Sequence, residues 1–213
     1  MATATIYGPA YSTYTRTARL AMEEKPADYR LAEVDILSGA AAQPDHLARQ
    51  PFAKVPAFEH DGLTIYETNA IVRYIDQAFS GQRLQPADPR RAARMNQVIG
   101  IIDSYAYGTI IGKLFWQRAI VPMQGGKPDE AAVGKARPMI ERCLAEFARL
   151  KGEDTYMAGP DMSLADLYLA PVIAYLQMTP EAEGLLRAHS GLRKWWETMS
   201  SRPAMAKTQP SLG

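Results

Sequence analysis

The chain has 213 residues, 47% of them hydrophobic and 22% charged, and its formal net charge is +1. This length and apolar content suffice for one large domain or two small ones, each with its own core. The near-neutral charge gives no reason to expect nucleic acid or an anionic membrane as the main partner.

The cysteine and histidine content argues against disulfide bonds and a metal site. Cys143 is the single cysteine, which excludes an internal disulfide framework and favours a reducing, cytoplasmic location. Its apolar helical spacing predicts a core position rather than a nucleophile. His46, His60 and His189 show no ligand spacing, so no metal site is expected. The N-terminus has no signal-like pattern, and no apolar run approaches the roughly 20 residues that span a bilayer.

The first part of the chain, residues 1–79, alternates between strand and helix patterns. This alternation predicts a mixed sheet flanked by helices. Asp61-Gly62, between two apolar runs, predicts a hairpin turn. Strands are predicted at residues 5–7, 29–34, 57–60 and 63–66, and helices at residues 17–25 and 68–79.

The remainder has no convincing strand. Residues 80–88 are predicted to be a linker, and residues 89–213 an all-helical domain. Pro138 lies inside one predicted helix and removes a backbone donor, so we expect a kink or a late start there. Helices are predicted near residues 90–118, 129–150, 163–176, 183–188 and 192–201.

The most informative motif is Lys54-Val55-Pro56, followed after one turn by Glu67-Thr68. A cis X-Pro bond costs little, so we predict one at Pro56, where the bend leaves the N–H and C=O of Val55 free for a ligand's main chain. Thr68 is predicted in the first turn of a helix, which attracts a carboxylate, and Glu67 would attract an ammonium group. Together these groups suit an amino-acid-like ligand.

Three further motifs occur in a fixed order along the chain. Ser12 lies where the loop after the first strand meets a helix, Ser163 and Asp166 have capping-box spacing, and Trp195-Trp196 lies in the closing helix. With the proline motif, this pattern resembles the glutathione transferase family over nearly the whole chain. It is nearest the serine-type, bacterial-like members of the phi and theta branch. The resemblance implies an α/β thioredoxin-like N-terminal domain plus an all-α C-terminal domain.

The resemblance also implies a site that binds glutathione as co-substrate and needs no metal. The implied glutathione-binding residues are Lys54, Val55, Pro56, Glu67 and Thr68. Ser12 would donate a hydrogen bond to the thiolate of glutathione, although an ordinary N-cap explains the same residue. Tyr11, Thr13 and Tyr7 carry nearby hydroxyls that could hold the role instead. Residue 12 is not a cysteine, which excludes the cysteine-using branches at this position.

Tyr11 and Tyr107 are expected to line an apolar pocket for the electrophile, although many aromatic residues of the long helix around Tyr107 would simply be core. Gly100, Gly108 and Gly112 on this helix could allow close approach of a ligand or another helix. The family implies a homodimer. The expected activity is conjugation of glutathione to small hydrophobic electrophiles.

One departure from the family leaves alternatives open. In plant serine-type enzymes a basic pair holds the glycyl carboxylate of glutathione, and Ala41 and Ala42 stand at the aligned positions. Losing two such contacts would cost roughly 1.5–3 kcal/mol each unless Lys54 or a partner chain compensates. The same fold could also support a glutathione-dependent isomerase, dehalogenase, ether-cleaving enzyme or peroxidase, or a non-catalytic binding or stress-response module.

Overall fold

The protein is represented by a computed structural model that describes residues 3–210. It divides into two compact units, Met1–Gln85 with Arg202–Gly213, and Pro86–Ser201. The first unit therefore includes residues 202–210, whereas the sequence predicted that residues 89–213 form the helical domain.

The first unit is built on a four-stranded sheet in the order β2-β1-β3-β4. β1 and β2 are parallel, whereas β1 with β3 and β3 with β4 are antiparallel. The strands are β1 (Ala4–Tyr7), β2 (Tyr29–Ala32), β3 (Ala57–His60) and β4 (Leu63–Tyr66). The mixed thioredoxin-like sheet predicted from the sequence is confirmed, and the hairpin strands have the predicted bounds.

Helices cover this sheet through apolar contacts. Ile6 and Phe58 of the sheet, Leu20 of the first helix and Ile71 of the third are fully buried. The helical elements of the unit are α1 (Thr13–Glu24), a 3-10 turn (Ala40–Ala42), α2 (Pro44–Leu47), α3 (Thr68–Ala78) and α10 (Pro203–Lys207). α1 thus begins four residues earlier than predicted, and the two short elements before β3 were not predicted.

The chain end joins the first unit through a buried arginine of α1. Arg16 is 5% exposed, and its guanidinium donates to the Met205 carbonyl at 3.0 Å and to the Thr208 hydroxyl at 3.3 Å. Arg202 forms a two-pronged ion pair with Glu24 at 2.6 and 2.7 Å. These contacts link residues about 180–190 positions apart, which local sequence patterns do not reveal.

The second unit is helical, as predicted. Its elements are α4 (Pro89–Ile101), a π-helical stretch (Ile102–Ile120), α5 (Val121–Met123), α6 (Glu130–Lys151), α7 (Leu164–Leu176), α8 (Ala182–Leu186) and α9 (Ser190–Ser200). α6 starts at Glu130, before Pro138, so the late start considered from the sequence does not occur. Cys143 is buried in α6, as expected, and burial raises the pKa of its thiol.

The helical stretch Pro89–Met123 is long and apolar enough, by length and composition alone, to cross a membrane. The sequence analysis found no apolar run of that length and therefore did not predict this property of the helix. Within the second unit the π-helical part packs against α6 and α7. Core helices of soluble proteins meet the same criteria of length and composition.

The predicted capping box at the start of α7 is confirmed. Asp166 is fully buried, and its Oδ2 accepts from the N–H and the hydroxyl of Ser163 at 2.9 and 3.0 Å. Its Oδ1 accepts from the Met157 N–H at 2.9 Å and the Trp195 indole N–H at 2.8 Å. Burial raises the pKa of Asp166 against these four hydrogen bonds, which favour the carboxylate. The Asp166 carboxylate is therefore a structural hub, in the sense that it joins the start of α7 to Met157 and to Trp195 of α9.

Candidate active site

Strand register brings the N-terminal motifs to one end of the sheet. Tyr7, the last residue of β1, pairs with Ala57, the first residue of β3. Ala57 pairs in turn with Tyr66, the last residue of β4. The loop that follows β1, the segment that precedes β3 and the residues that follow β4 therefore leave the sheet at the same end. These segments carry Ser12, Val55-Pro56 and Glu67-Thr68, respectively.

Ser12 is the N-cap of α1, as the structural interpretation predicts. Its Oγ accepts from the Thr15 N–H at 3.3 Å. Among residues 3–210 no acceptor engages the proton of the Ser12 hydroxyl, and the side chain is only half-buried. Because capping uses the oxygen and not the proton, Ser12 can cap the helix and donate to a ligand at once.

Two of the alternative hydroxyls are already committed as donors. Tyr7 donates to Glu59 at 2.5 Å, and Tyr11 donates to Asp35 at 2.6 Å. Burial and the hydrogen bond to Glu59 raise the pKa of Tyr7. Burial and the hydrogen bond to Asp35 raise the pKa of Tyr11 to about 12. These contacts favour Ser12 over Tyr7 and Tyr11 as the donor to a bound thiolate.

Thr13, the remaining alternative, is the first residue of α1. Its side chain is only 3% exposed, so a ligand has little access to its hydroxyl. Of the four hydroxyls considered from the sequence, Ser12 is therefore the one that is neither buried nor engaged as a donor among the described residues.

The bond between Val55 and Pro56 is cis, as predicted. Within the described residues, neither the N–H nor the C=O of Val55 has a hydrogen-bond partner. The preceding residue, Lys54, is fixed through its own backbone: the His46 ring lies 2.7 Å from its carbonyl, and its N–H donates to the Gln50 side chain at 3.2 Å. The loop thus presents one residue with two open main-chain groups.

The start of α3 is also open. Thr68 is its first residue, so the N-cap is Glu67 and not Thr68, and Glu67 makes no capping hydrogen bond with its side chain. Among the described residues, Ile71 is the first of the helix whose backbone N–H has an acceptor, the Glu67 carbonyl at 3.0 Å. The N–H groups of the first turn therefore point to where an anion would be stabilised. Glu67 also has a φ of 68°, which a non-glycine residue adopts only at a cost.

Comparison with known proteins agrees with this arrangement. The models of the glutathione S-transferase N-terminal and C-terminal domains match residues 2–77 and 102–203. The chain is 31% identical over 210 residues to glutathione S-transferase F6 of Arabidopsis thaliana, covering 97% of this chain and 99% of that protein. The chain belongs to the glutathione S-transferase family.

Solved structures of family members have the same architecture. The crystal structure of glutathione transferase F7 from Populus trichocarpa superimposes with a TM-score of 0.87 at 30% identity, over 96% of this chain and 97% of that one. Glutathione S-transferase I from maize, in complex with an atrazine glutathione conjugate, gives a TM-score of 0.86 at 26% identity, over 97% and 96% of the two chains.

Ala41 and Ala42, at the positions where the resemblance implies a basic pair, lie in the 3-10 turn of the first unit. Ala41 is buried and Ala42 is exposed in the 3-10 turn, so neither supplies a positive charge. Lys54 is exposed. The backbone of Lys54 is held by His46 and Gln50, so its positively charged side chain starts from a fixed position next to Val55.

Several residues of this region were missed from the sequence. Asp35 holds the hydroxyl of Tyr11, while His46 and Gln50, both buried, shape the loop before Val55. The spacing of four residues between His46 and Gln50 places both on one side of a helical turn, a signal that could have suggested a shared role. Nothing in the sequence around Asp35 indicates its partner 24 residues away.

Two predictions on this site stay predictions. Tyr107 lies half-buried in the π-helical stretch of the second unit, and its contact with an electrophile is untested. As for metals, residues 3–210 contain no group of three or more His, Cys, Asp or Glu side chains that could hold an ion.

Proposed function

We propose that this protein is a glutathione transferase that activates the thiol of glutathione through Ser12 and conjugates it to small hydrophobic electrophiles. The observation that carries the proposal is the unused proton of the half-buried Ser12 hydroxyl. Ser12 leaves the sheet at the same end as the open groups of Val55 and α3. Family membership and the glutathione conjugate bound to the maize relative support the choice of ligand.

Each chemical group of glutathione has a complementary group at this end of the sheet. The γ-glutamyl carboxylate would bind Thr68 and the first-turn N–H groups of α3, and Glu67 would pair with the ammonium. The cysteinyl main chain would bind the N–H and C=O of Val55, an arrangement that Pro56 presents. Lys54 would take the glycyl carboxylate in place of a basic pair at Ala41 and Ala42.

The chemical step requires a thiolate. A free thiol has a pKa of about 8.5, and a hydrogen bond that favours the charged form lowers it. The thiol proton leaves to solvent, Ser12 stabilises the sulfur anion, and the sulfur lone pair forms the new S–C bond. In a substitution the leaving group departs with its electron pair. Holding both reactants together supplies the remainder of the rate enhancement.

In the first unit the ring of Tyr11 would contact the electrophile, and in the second unit Tyr107 is the candidate contact. Apolar aromatic walls suit small hydrophobic electrophiles, and they constrain shape more than chemistry. A screen of conjugation, isomerisation, dehalogenation, ether-cleavage and peroxide substrates would establish which reaction this pocket favours. The missing basic pair supports the remaining candidate, a protein that binds glutathione without forming thiolate.

We place the protein in the cytoplasm as a homodimer, with no nucleic-acid or membrane partner. The single buried cysteine and the formal net charge of +1 support the location and the choice of partners. An exposed aromatic side chain supports the dimer. Phe52 is 65% exposed and lies two residues before Lys54, and within residues 3–210 its ring packs edge-to-face on Tyr66 alone. Light scattering of wild type and Phe52→Ala tests the dimer, and a monomeric wild type contradicts it.

The decisive experiment is a pH titration of bound glutathione, followed by thiolate ultraviolet absorption, in wild type, Ser12→Ala and the exposed-serine control Ser80→Ala. We expect thiolate in wild type and control well below the pH at which free glutathione ionises. Ser12→Ala should lose that shift and about 10- to 100-fold in kcat/KM. If Ser12→Ala keeps both the shift and the turnover, Ser12 is only a cap. If wild type binds glutathione with its thiol protonated, the binding-module candidate is favoured.

A further inference from the structure

The hydroxyl of Tyr11 joins two loops of the first unit. It donates to Asp35 Oδ1 at 2.6 Å and accepts from the Leu37 N–H at 3.3 Å. One loop follows β1 and carries Ser12, and the other, residues 35–40, follows β2. Both leave the sheet at the same end, because Tyr7 at the end of β1 pairs with Ala32 at the end of β2.

The second loop is closed around Asp35. The Leu37 N–H donates to the Asp35 carboxylate at 3.0 Å, while the Ser38 hydroxyl and the Ala40 N–H donate to the Asp35 carbonyl at 2.9 and 3.0 Å. A contact that fixes Asp35 therefore fixes the whole loop. The loop leads directly into the 3-10 turn that contains Ala41 and Ala42.

We propose that Tyr11 is a positioning residue, whose hydroxyl bond to Asp35 holds the Ser12 loop in the geometry that directs the serine O–H, as a hydrogen-bond donor, toward the thiolate. This inference rests on the proposed function and assigns the Tyr11 hydroxyl a different role from the ring that would face the electrophile. A hydrogen bond is directional, so a small rotation of the loop at Tyr11 would misalign the donor on the next residue.

The Tyr11–Asp35 hydrogen bond is expected to persist across the neutral pH range. A phenol that donates to a carboxylate forms a short, charge-assisted hydrogen bond. The pKa of Tyr11 is raised to about 12, and the hydrogen bond from Tyr11 lowers the pKa of Asp35. Across the neutral range Tyr11 therefore keeps its proton and Asp35 its charge, so the contact persists wherever the thiolate is needed.

A double-mutant cycle with Tyr11→Phe, Asp35→Ala and the double variant tests this inference. The readouts are kcat, KM for each substrate and the titration midpoint of bound glutathione. We expect each single variant to lose about 3- to 10-fold in kcat and to raise the midpoint, and the double variant to be no worse than either single. Asp35→Asn, which keeps an acceptor oxygen, should recover part of the loss.

Tyr29→Phe is the matched control, because Tyr29 also has a hydrogen-bonded hydroxyl in this unit, with Arg19 at 3.2 Å. It should leave the midpoint unchanged. Independent effects of the two substitutions would overturn the inference. So would a Tyr11→Phe variant that changes only KM for the electrophile. If wild type forms no thiolate, the proposed function falls and this inference with it; a normal wild type with uncoupled variants overturns the inference alone.

Discussion

Two helix starts in this protein meet the same physical problem in opposite ways. Every helix begins with backbone N–H groups that have no partner inside it. At the start of α7, Ser163 and Asp166 form a capping box, and Asp166 also accepts hydrogen bonds from Met157 and Trp195. At the start of α3, Glu67 supplies no side-chain cap.

The difference separates structure from ligand binding. The α7 start is fully buried and its polar groups find their partners within the second unit. The α3 start leaves its first-turn N–H groups open beside Glu67, which has a strained backbone. A helix start that completes its own hydrogen bonds stabilises the fold, whereas one left open can stabilise a bound anion. Substitutions at the two places should therefore act on different measurements.

The largest expected effect is at the closed helix start. Asp166→Ala removes four hydrogen bonds and leaves buried donors unpaired, so we expect the free energy of unfolding to fall by about 5 kcal/mol or more. Urea unfolding measures this change. Asp161→Ala, an exposed aspartate in the same segment, is the control. A loss below about 1 kcal/mol would show that the hub is dispensable.

A second closed site lies in the first unit. Lys25 and Asp76 form an ion pair at 2.7 Å with both side chains 2% exposed. Asp76 also accepts from the N–H groups of Leu84 and Gln85 at 2.8 and 3.0 Å. Asp76→Asn leaves the buried Lys25 ammonium without its counter-charge, and among the described residues only its hydrogen bond to the Gln82 carbonyl at 2.7 Å remains. We expect the free energy of unfolding to fall by about 3–5 kcal/mol, against almost no change for the exposed Asp28→Asn.

The same pair predicts a pH dependence. Burial alone would raise the pKa of Asp76, but hydrogen bonds from Lys25 and Leu84 outweigh it, and the pKa is lowered. A carboxyl whose folded pKa is lowered contributes stability above its unfolded pKa of about 4, and this stability is lost as pH falls through the folded value. Unfolding free energies from pH 6 to about pH 2 should fall more steeply in wild type than in Asp76→Asn. Parallel curves would contradict the assignment.

The open helix start should respond in the opposite sense. Glu67→Gly relieves a φ of 68° and should stabilise the protein by about 0.5–1 kcal/mol, while glutathione affinity falls about 10-fold through the lost carboxylate. Calorimetry gives both quantities. Asp61→Gly, at a φ of 48° in the hairpin turn, relieves similar strain away from α3 and should leave affinity unchanged. A stabilised Glu67→Gly with unchanged affinity would remove Glu67 from the site.

The features that the sequence predicted correctly depend on local contacts, and those that it missed depend on distant ones. The β3–β4 hairpin, the cap at Ser12 and the box at Ser163 depend on neighbours a few residues apart, and short-range patterns predicted all three. Asp35 and Asp76 depend on partners 24 or more residues away, and neither was singled out. The order of the motifs along the chain located the site. Choosing Ser12 among the nearby hydroxyls required the hydrogen-bond partners of each hydroxyl, which only the structure gives.

The attachment of the chain end shows the same limit. Arg16 has the sequence context of an ordinary helical arginine, yet it is buried and holds the carbonyl of Met205. Periodicity identifies which face of a helix is apolar and not which distant segment a buried charge will reach. For this reason the sequence assigned residues 202–210 to the helical domain, whereas they pack with the first unit.

The smallest expected effect is on the exposed surface of α4, which belongs to neither of the two helix starts. Gly100 is exposed on α4, and a Cβ built there meets no atom of the described residues within 4 Å, so no close approach among these residues requires a glycine at this position. Gly100→Ala should raise the free energy of unfolding by about 0.8–1 kcal/mol, because alanine is the better helix former. Gly8→Ala is the contrasting variant: its Cβ would lie 2.3 Å from the Thr15 hydroxyl, so it should destabilise. Urea unfolding with light scattering distinguishes the outcomes, since a Gly100→Ala protein that dissociates or loses stability would place a partner subunit or a ligand against this face of α4.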